Sequence, residues 1–238
     1  MAISELNFPS GVQTVEQASA KQQANDLAVA VAEKLTAALR ERDFASLVVS
    51  GGRSPVAFLE ALSAQKLEWS RVVVSLADER WVPTEHNDSN EALVKRHLLR
   101  GEAARAHFLG LYRSPVSLDA SVAGANLALS ELPQPIDVLV LGMGDDGHTA
   151  SLFPNSPLLA QALSPDCTQP CLPMLAPSVP HQRITMTLPL LASARSIFLA
   201  LQGPAKLATL RTALAGDDAL AMPIRAFLRS PLAIYWCP

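Results

Sequence analysis

Four apolar runs in this chain are continuous rather than alternating, and each ends in glycines or charges. They are FASLVVSGG (44–52), RVVVSLADERWVP (71–83), IDVLVLGMG (136–144) and SIFLALQG (196–203). A strand that is apolar along its whole length is buried on both faces, which is the habit of parallel sheets covered by helices. RITMTLPLL and LAIYWC read as two further strands. Between the strands the spacing turns helical. Ala28, Val31, Ala32, Leu35, Ala38 and Leu39 predict a long helix from about Val15 to Asp43. PVAFLEALSA opens with Ser54 as N-cap and Pro55 as first helical residue. SNEALVKRHLL takes Asp88 or Ser89 as its cap, and LDASVAGANLALSEL and PAKLATLRTALAG complete the helices. The proline-rich stretch 164–182 reads as loop with room for a short strand. The expectation is one α/β domain over residues 1–238, mostly parallel, with helices on both faces.

In open α/β sheets, ligands bind beyond the carboxyl ends of the strands. Four loops follow strands in this way: SGGRSP, ADERWVP, GMGDDGHTAS and LQGPAK. They are expected to meet at one site.

In SGGRSP, Gly51 and Gly52 let backbone approach an anion ahead of a helix N-terminus, and Arg53 adds a guanidinium suited to phosphate. A tight turn with a solvated arginine is the other reading. The loop lacks the spacing and the Gly-Lys-Ser/Thr of a P-loop. In LQGPAK, Lys206 sits in the first helical turn, where a cation opposes the helix dipole at a cost of about 0.3–1 kcal/mol. An anion between lysine and helix offsets that cost; an ordinary surface lysine also fits. Arg183 begins RITMTLP as a further cation. Asp78, Glu79 and Arg80 directly follow a very apolar strand, so they are either solvated or paired. An inert ion-pair cluster and a site for sugar hydroxyls both satisfy this.

IDVLVLGMGDDGHTASLF raises a sharper question, because Gly142, Gly144 and Gly147 match the dinucleotide fingerprint G-x-G-x-x-G and Asp166 lies near the distance of its ribose-binding acid. The context fails. Asp145 and Asp146 inside the loop repel a pyrophosphate, and Asp166 lies in the proline-rich SPDCTQP instead of ending a strand. What the loop does offer is His148 beside carboxylates, a general acid/base candidate.

Other classes are set aside on composition. Net charge is −3 over 238 residues, without the basic stripe that nucleic acid requires. Three cysteines, an odd number, argue against a disulfide framework. Cys167 and Cys171, with His181 the only nearby third ligand, fall short of a zinc pattern. No signal peptide is read at the N-terminus, and no apolar stretch reaches the ~18 residues of a membrane span. A soluble cytoplasmic protein without an obligate partner is expected.

The loops, in this order, resemble the glucosamine-6-phosphate isomerase/6-phosphogluconolactonase family. The matching stretches are SGGRSP, DERWVP followed by NDSN, GMGDDGHTASLFP, and RITMTLP followed by GPAK. DGHTASLFP is highly specific; SGG and GPAK alone are not. The resemblance implies a Rossmann-like fold of the ribose-5-phosphate-isomerase and CoA-transferase type. Within the family it points to lactone hydrolysis, with 6-phospho-D-glucono-1,5-lactone as substrate and no metal or cofactor. It places the phosphate near Gly51, Gly52, Arg53, Ser54, Arg183 and Lys206. His148 is the expected base, with Asp146 orienting it or helping to hold the sugar, Arg80 or backbone N–H groups opposing the oxyanion, and Asp78 and Asn90 binding hydroxyls or supporting Arg80. Two departures stand out. The family's SGGSTP is here SGGRSP. The isomerases carry an acid shortly after the histidine, in a pattern like GHIAFNEP, where this chain has Leu152, Phe153 and Pro154.

Overall fold

The computed structural model describes residues 2–176 and 181–238; positions 177–180 of the proline-rich stretch lie outside them. The chain runs β1 (Gln13–Glu16), α1 (Ala20–Glu41), β2 (Ala45–Val49), α2 (Val56–Ser63), β3 (Val72–Leu76) and β4 (Asp78–Arg80). It continues with α3 (Asn90–His97), β5 (His107–Leu109), α4 (Leu118–Ala128), β6 (Val138–Leu141), α5 (Leu159–Leu163) and β7 (Cys171–Met174). Then follow β8 (Arg183–Met186), α6 (Leu188–Leu191), β9 (Ser196–Gln202), α7 (Pro204–Leu214) and β10 (Leu232–Cys237).

Seven strands form one parallel sheet in the order β1-β10-β9-β6-β2-β3-β5. Leu47, Val48, Val74, Leu139 and Leu199 are all fully buried within it, as the continuous apolar runs require. Burying a side chain of this size contributes about 1.5–3 kcal/mol. From β2 the chain winds outward through β3 and β5, then returns to β6 on the other side of β2 and winds the opposite way. The order reverses between β2 and β6, and a crevice opens at the carboxyl ends of two such strands. At their other end, Asp137 accepts from the Ser46 N–H at 2.9 Å and pairs with Arg42 at 2.8 Å, tying the two strands in register. Helix α1 is fastened across β9 and β10 by Gln23, whose Nε2 donates to the carbonyls of Leu201 (2.7 Å) and Tyr235 (2.8 Å).

The structure corrects three readings of the sequence and adds a strand that was not read. Val15 does not begin the long helix. It lies in edge strand β1, opposite Tyr235, and the helix starts after Ser19, whose hydroxyl accepts from the Gln22 N–H. Asp78–Arg80 is not a loop. At Ala77 the chain leaves the main sheet, and β4 pairs antiparallel with β8, which pairs with β7 in a second, three-stranded sheet. Strand β5 carries too short a pattern to read from sequence. Helix α2 begins at Val56 with Pro55 in the cap position, and Ser54 makes no capping bond.

Candidate active site

The loops after β2, β6 and β9 and strand β4 converge on one pocket at the switch point. Its lining includes Ser50, Gly51, Gly52, Ser54, Asp78, Arg80, Asn90, Gly142, Gly144, His148, Arg183 and Lys206. Of the residues expected there, Arg53 is exposed and is not among the lining residues, and Asp146 stands behind His148.

The loop after β6 folds back on itself. Gly144 N–H donates to the His148 carbonyl at 2.8 Å and Gly147 N–H to the Gly144 carbonyl at 3.1 Å. Gly147 has φ +77°, a conformation that glycine adopts without penalty. A Cβ on Gly144 would collide with the imidazole of His148, so this glycine makes room for the ring. Of the fingerprint glycines, Gly144 is therefore explained by packing around a histidine, and Gly147 by its backbone turn and its closeness to Met222.

His148 is held on two sides. Its Nδ1 donates to Asp146 Oδ1 at 2.5 Å, and its backbone N–H donates to the same oxygen at 3.0 Å. Its ring lies against Phe153, centroids 4.3 Å apart. Burial works to raise the Asp146 carboxyl, but the His148 N–H and imidazole outweigh it and hold Asp146 below the usual aspartate value. An ionised Asp146 accepts only, so Nδ1 carries the proton and Nε2 is left as an acceptor, with no protein partner among the described residues.

The three charges after β3 separate into three roles. Asp78 is buried, accepts from the Ser151 hydroxyl at 2.6 Å, and has its backbone carbonyl bonded by Asn90 Nδ2 at 2.8 Å. Gly51 lets Asn90 come this close, since a Cβ there would overlap its amide. Glu79, fully buried, accepts from the N–H groups of Arg80, Asn90 and Glu91 and from the Ser89 hydroxyl, so it caps α3. Arg80 reaches the Asp88 carbonyl at 2.6 Å, while its Nε is buried without a partner.

Arg183, 6% exposed, stands directly opposite Arg80 in the β4–β8 pairing. Its Nε donates to the His181 carbonyl at 3.2 Å, and its guanidinium lies 5.8 Å from the Phe153 ring centre. Burial lowers its pKa, with Asp78 pulling the other way and Arg80 adding to the fall. Neither arginine is within ion-pairing distance of a carboxylate among the described residues. Two unpaired guanidiniums side by side, one of them buried, are the surroundings of an anion site. Lys206 lies at the pocket edge, paired with exposed Asp145 at 2.6 Å. The N–H groups of Gly51 and Gly52 make no hydrogen bond to described residues.

Sequence reasoning missed several lining groups, three of which stand out. Ser50 has a buried hydroxyl without a partner. Gln202 lines the pocket and bonds Gln23 Oε1 at 3.0 Å. Ala150 lines it with φ +48°, a strained value for a residue other than glycine. Only Ser50 carried a signal, as the residue before the glycine pair.

Among the described residues, no helix is long and apolar enough to cross a membrane. The family model described as glucosamine-6-phosphate isomerases/6-phosphogluconolactonase matches residues 18–236. A 6-phosphogluconolactonase of Pseudomonas aeruginosa is 62% identical over 238 residues, covering 100% of both chains. Another, from Pseudomonas putida, is 61% identical over 238 residues, 100% of this chain and 98% of that one. A crystal structure of a 6-phosphogluconolactonase from Shewanella baltica superposes with a TM-score of 0.93 at 39% identity, covering 98% of this chain and 100% of that one.

Proposed function

The chain belongs to the glucosamine-6-phosphate isomerase/6-phosphogluconolactonase family, and on that footing we propose that it hydrolyses 6-phospho-D-glucono-1,5-lactone to 6-phosphogluconate, a step of the oxidative pentose phosphate pathway. The observation that carries the reading is His148, fixed by Asp146 through Nδ1 with Nε2 open, in the pocket that also holds the unpaired arginines.

The substrate phosphate is held by Arg183, Lys206 and the N–H groups of Gly51 and Gly52. Asp78 and Asn90 face the sugar hydroxyls. His148 Nε2 takes a proton from water as the water oxygen bonds to C1. Negative charge moves onto the carbonyl oxygen, where Arg80 opposes it. The bond from C1 to the ring oxygen then breaks, and His148 returns its proton to that oxygen, which becomes the C5 hydroxyl. Asp146 steadies the imidazolium between the two transfers. Arg53 is left out of this assignment because it does not line the pocket.

Aldose–ketose isomerisation needs a further acid/base group after the histidine. Here buried Leu152 and Phe153 occupy that stretch, and Phe153 supports the His148 ring. This favours the lactonase. The test is to generate the lactone in situ and follow 6-phosphogluconate against spontaneous hydrolysis. Acceleration is expected, and a rate equal to the uncatalysed one would reject the reading.

A further inference from the structure

Behind the arginine pair, on the solvent side, lie His86, Asp88 and His181. The chemistry proposed above does not use their side chains. His181 Nε2 is 3.0 Å from Asp88 Oδ2, and His86 Nδ1 is 3.8 Å from the same oxygen. One ligand atom from each residue lies within 4.8 Å of the other two. The two imidazoles meet edge to face at 5.6 Å. Cys167 and Cys171 take no part in this group.

We propose that His86, Asp88 and His181 bind a divalent transition ion of the Zn²⁺ class. Two imidazoles and a carboxylate are borderline ligands of the kind such ions prefer over Mg²⁺ or Ca²⁺. Bonds of about 2.0–2.1 Å in tetrahedral geometry separate the ligand atoms by roughly 3.3 Å. The two spacings to Asp88 Oδ2 bracket that value and the third lies within 4.8 Å, so side-chain rotation brings the three together, with water as fourth ligand. The ion displaces two contacts: the Asp88 N–H bond to His86 Nδ1, at 3.1 Å, and the His181 Nε2 bond to Asp88. The neutral His181 ring then carries its proton on Nδ1, where metal-bound histidines usually donate to a second partner.

The position gives the ion a consequence. The Asp88 carbonyl holds Arg80 and the His181 carbonyl holds Arg183. An ion bridging Asp88 and His181 fastens together the two segments that carry both arginines. It takes no part in the hydrolysis, and the site stands whether or not the lactonase reading does.

The test is calorimetric titration of the chelator-treated full chain with ZnCl₂, with thermal unfolding in parallel. One ion per chain and a raised Tm are expected. His181→Gln keeps a donor for Asp88 but removes the ligand, and His86→Ala removes a half-exposed one. Each is expected to weaken binding by ~10-fold or more, while His148→Ala leaves it intact. Absence of Zn²⁺ binding at millimolar concentration would overturn the proposal. So would binding that survives in the folded His181→Gln and His86→Ala variants, or that disappears in His148→Ala.

Discussion

Arg80 and Arg183 are directly opposed residues of two antiparallel strands, and neither pairs with a carboxylate among the described residues. Like charges in that relation oppose folding by about 0.2–1 kcal/mol, and burial of Arg183 adds to the cost. An arrangement that works against stability in the free protein fits the anion site proposed above.

The separate roles proposed for the two arginines predict separate kinetics. Arg183→Gln is expected to raise KM by ~10–100-fold, the loss of a charged hydrogen bond, with kcat largely kept and thermal stability unchanged or slightly higher. Arg80→Gln is expected to lower kcat more than it raises KM. Steady-state kinetics and a melting curve on each variant decide it. An effect on KM alone in both would assign both arginines to the phosphate.

Asp146→Asn leaves the shape of the loop but changes the partner of Nδ1, since an amide can offer an N–H where the carboxylate only accepts. The imidazole then loses its fixed tautomer and its countercharge. A fall in kcat of roughly 100-fold or more, with KM nearly unchanged, is expected. Equal kcat in the two proteins would remove Asp146 from the mechanism.

Lys206 and Asp145 pair in the free protein, with Asp145 largely exposed. A surface pair of this kind contributes about 0–1 kcal/mol, so binding of a phosphate displaces it at little cost. Lys206→Ala is expected to raise KM. Asp145→Asn frees the lysine and is expected to lower KM, by up to about fivefold. A raised KM in Asp145→Asn would mean that the aspartate itself meets the substrate.

Glu79 predicts a pH effect on stability. Burial pushes its carboxyl from 4.5 up to about 7, against the N–H groups of Asn90, Glu91 and Arg80, while the charge of Asp78 adds to the rise. Between those values the folded chain keeps a proton that the unfolded chain has lost. The contribution is full below pH 4.5 and falls as the pH rises to about 7, by on the order of 3 kcal/mol. Asp88 and Asp146 shift the other way, so their stabilisation is lost only on acidification below 3.8, outside this window. Urea midpoints at about pH 5 and pH 7.5 are expected to descend in the wild type and to flatten in Glu79→Gln. An equal descent in both would contradict the assignment.

The parallel sheet and the convergence of its loops were legible because they are written locally. Continuous apolar runs mark buried strands, and glycines mark where those strands end. Asp146 and His148 were legible as a pair because only Gly147 separates them. Arg80 and Arg183 were not, because their pairing depends on a second sheet whose strand Asp78–Arg80 is three charged residues with no periodicity to read. Val15 was assigned to a helix because edge strand β1 has only four residues and runs almost directly into one. Glu79 looked like part of a charge cluster, yet its partners are backbone groups at the start of α3, which sequence does not place beside it.

The central claim is that His148 is the base of a lactone hydrolysis. The most direct measurement compares wild type and His148→Ala for formation of 6-phosphogluconate from freshly generated lactone, with product affinity measured in both. The account predicts a loss of roughly 100-fold or more in kcat with 6-phosphogluconate still bound. An unchanged kcat in His148→Ala would contradict it.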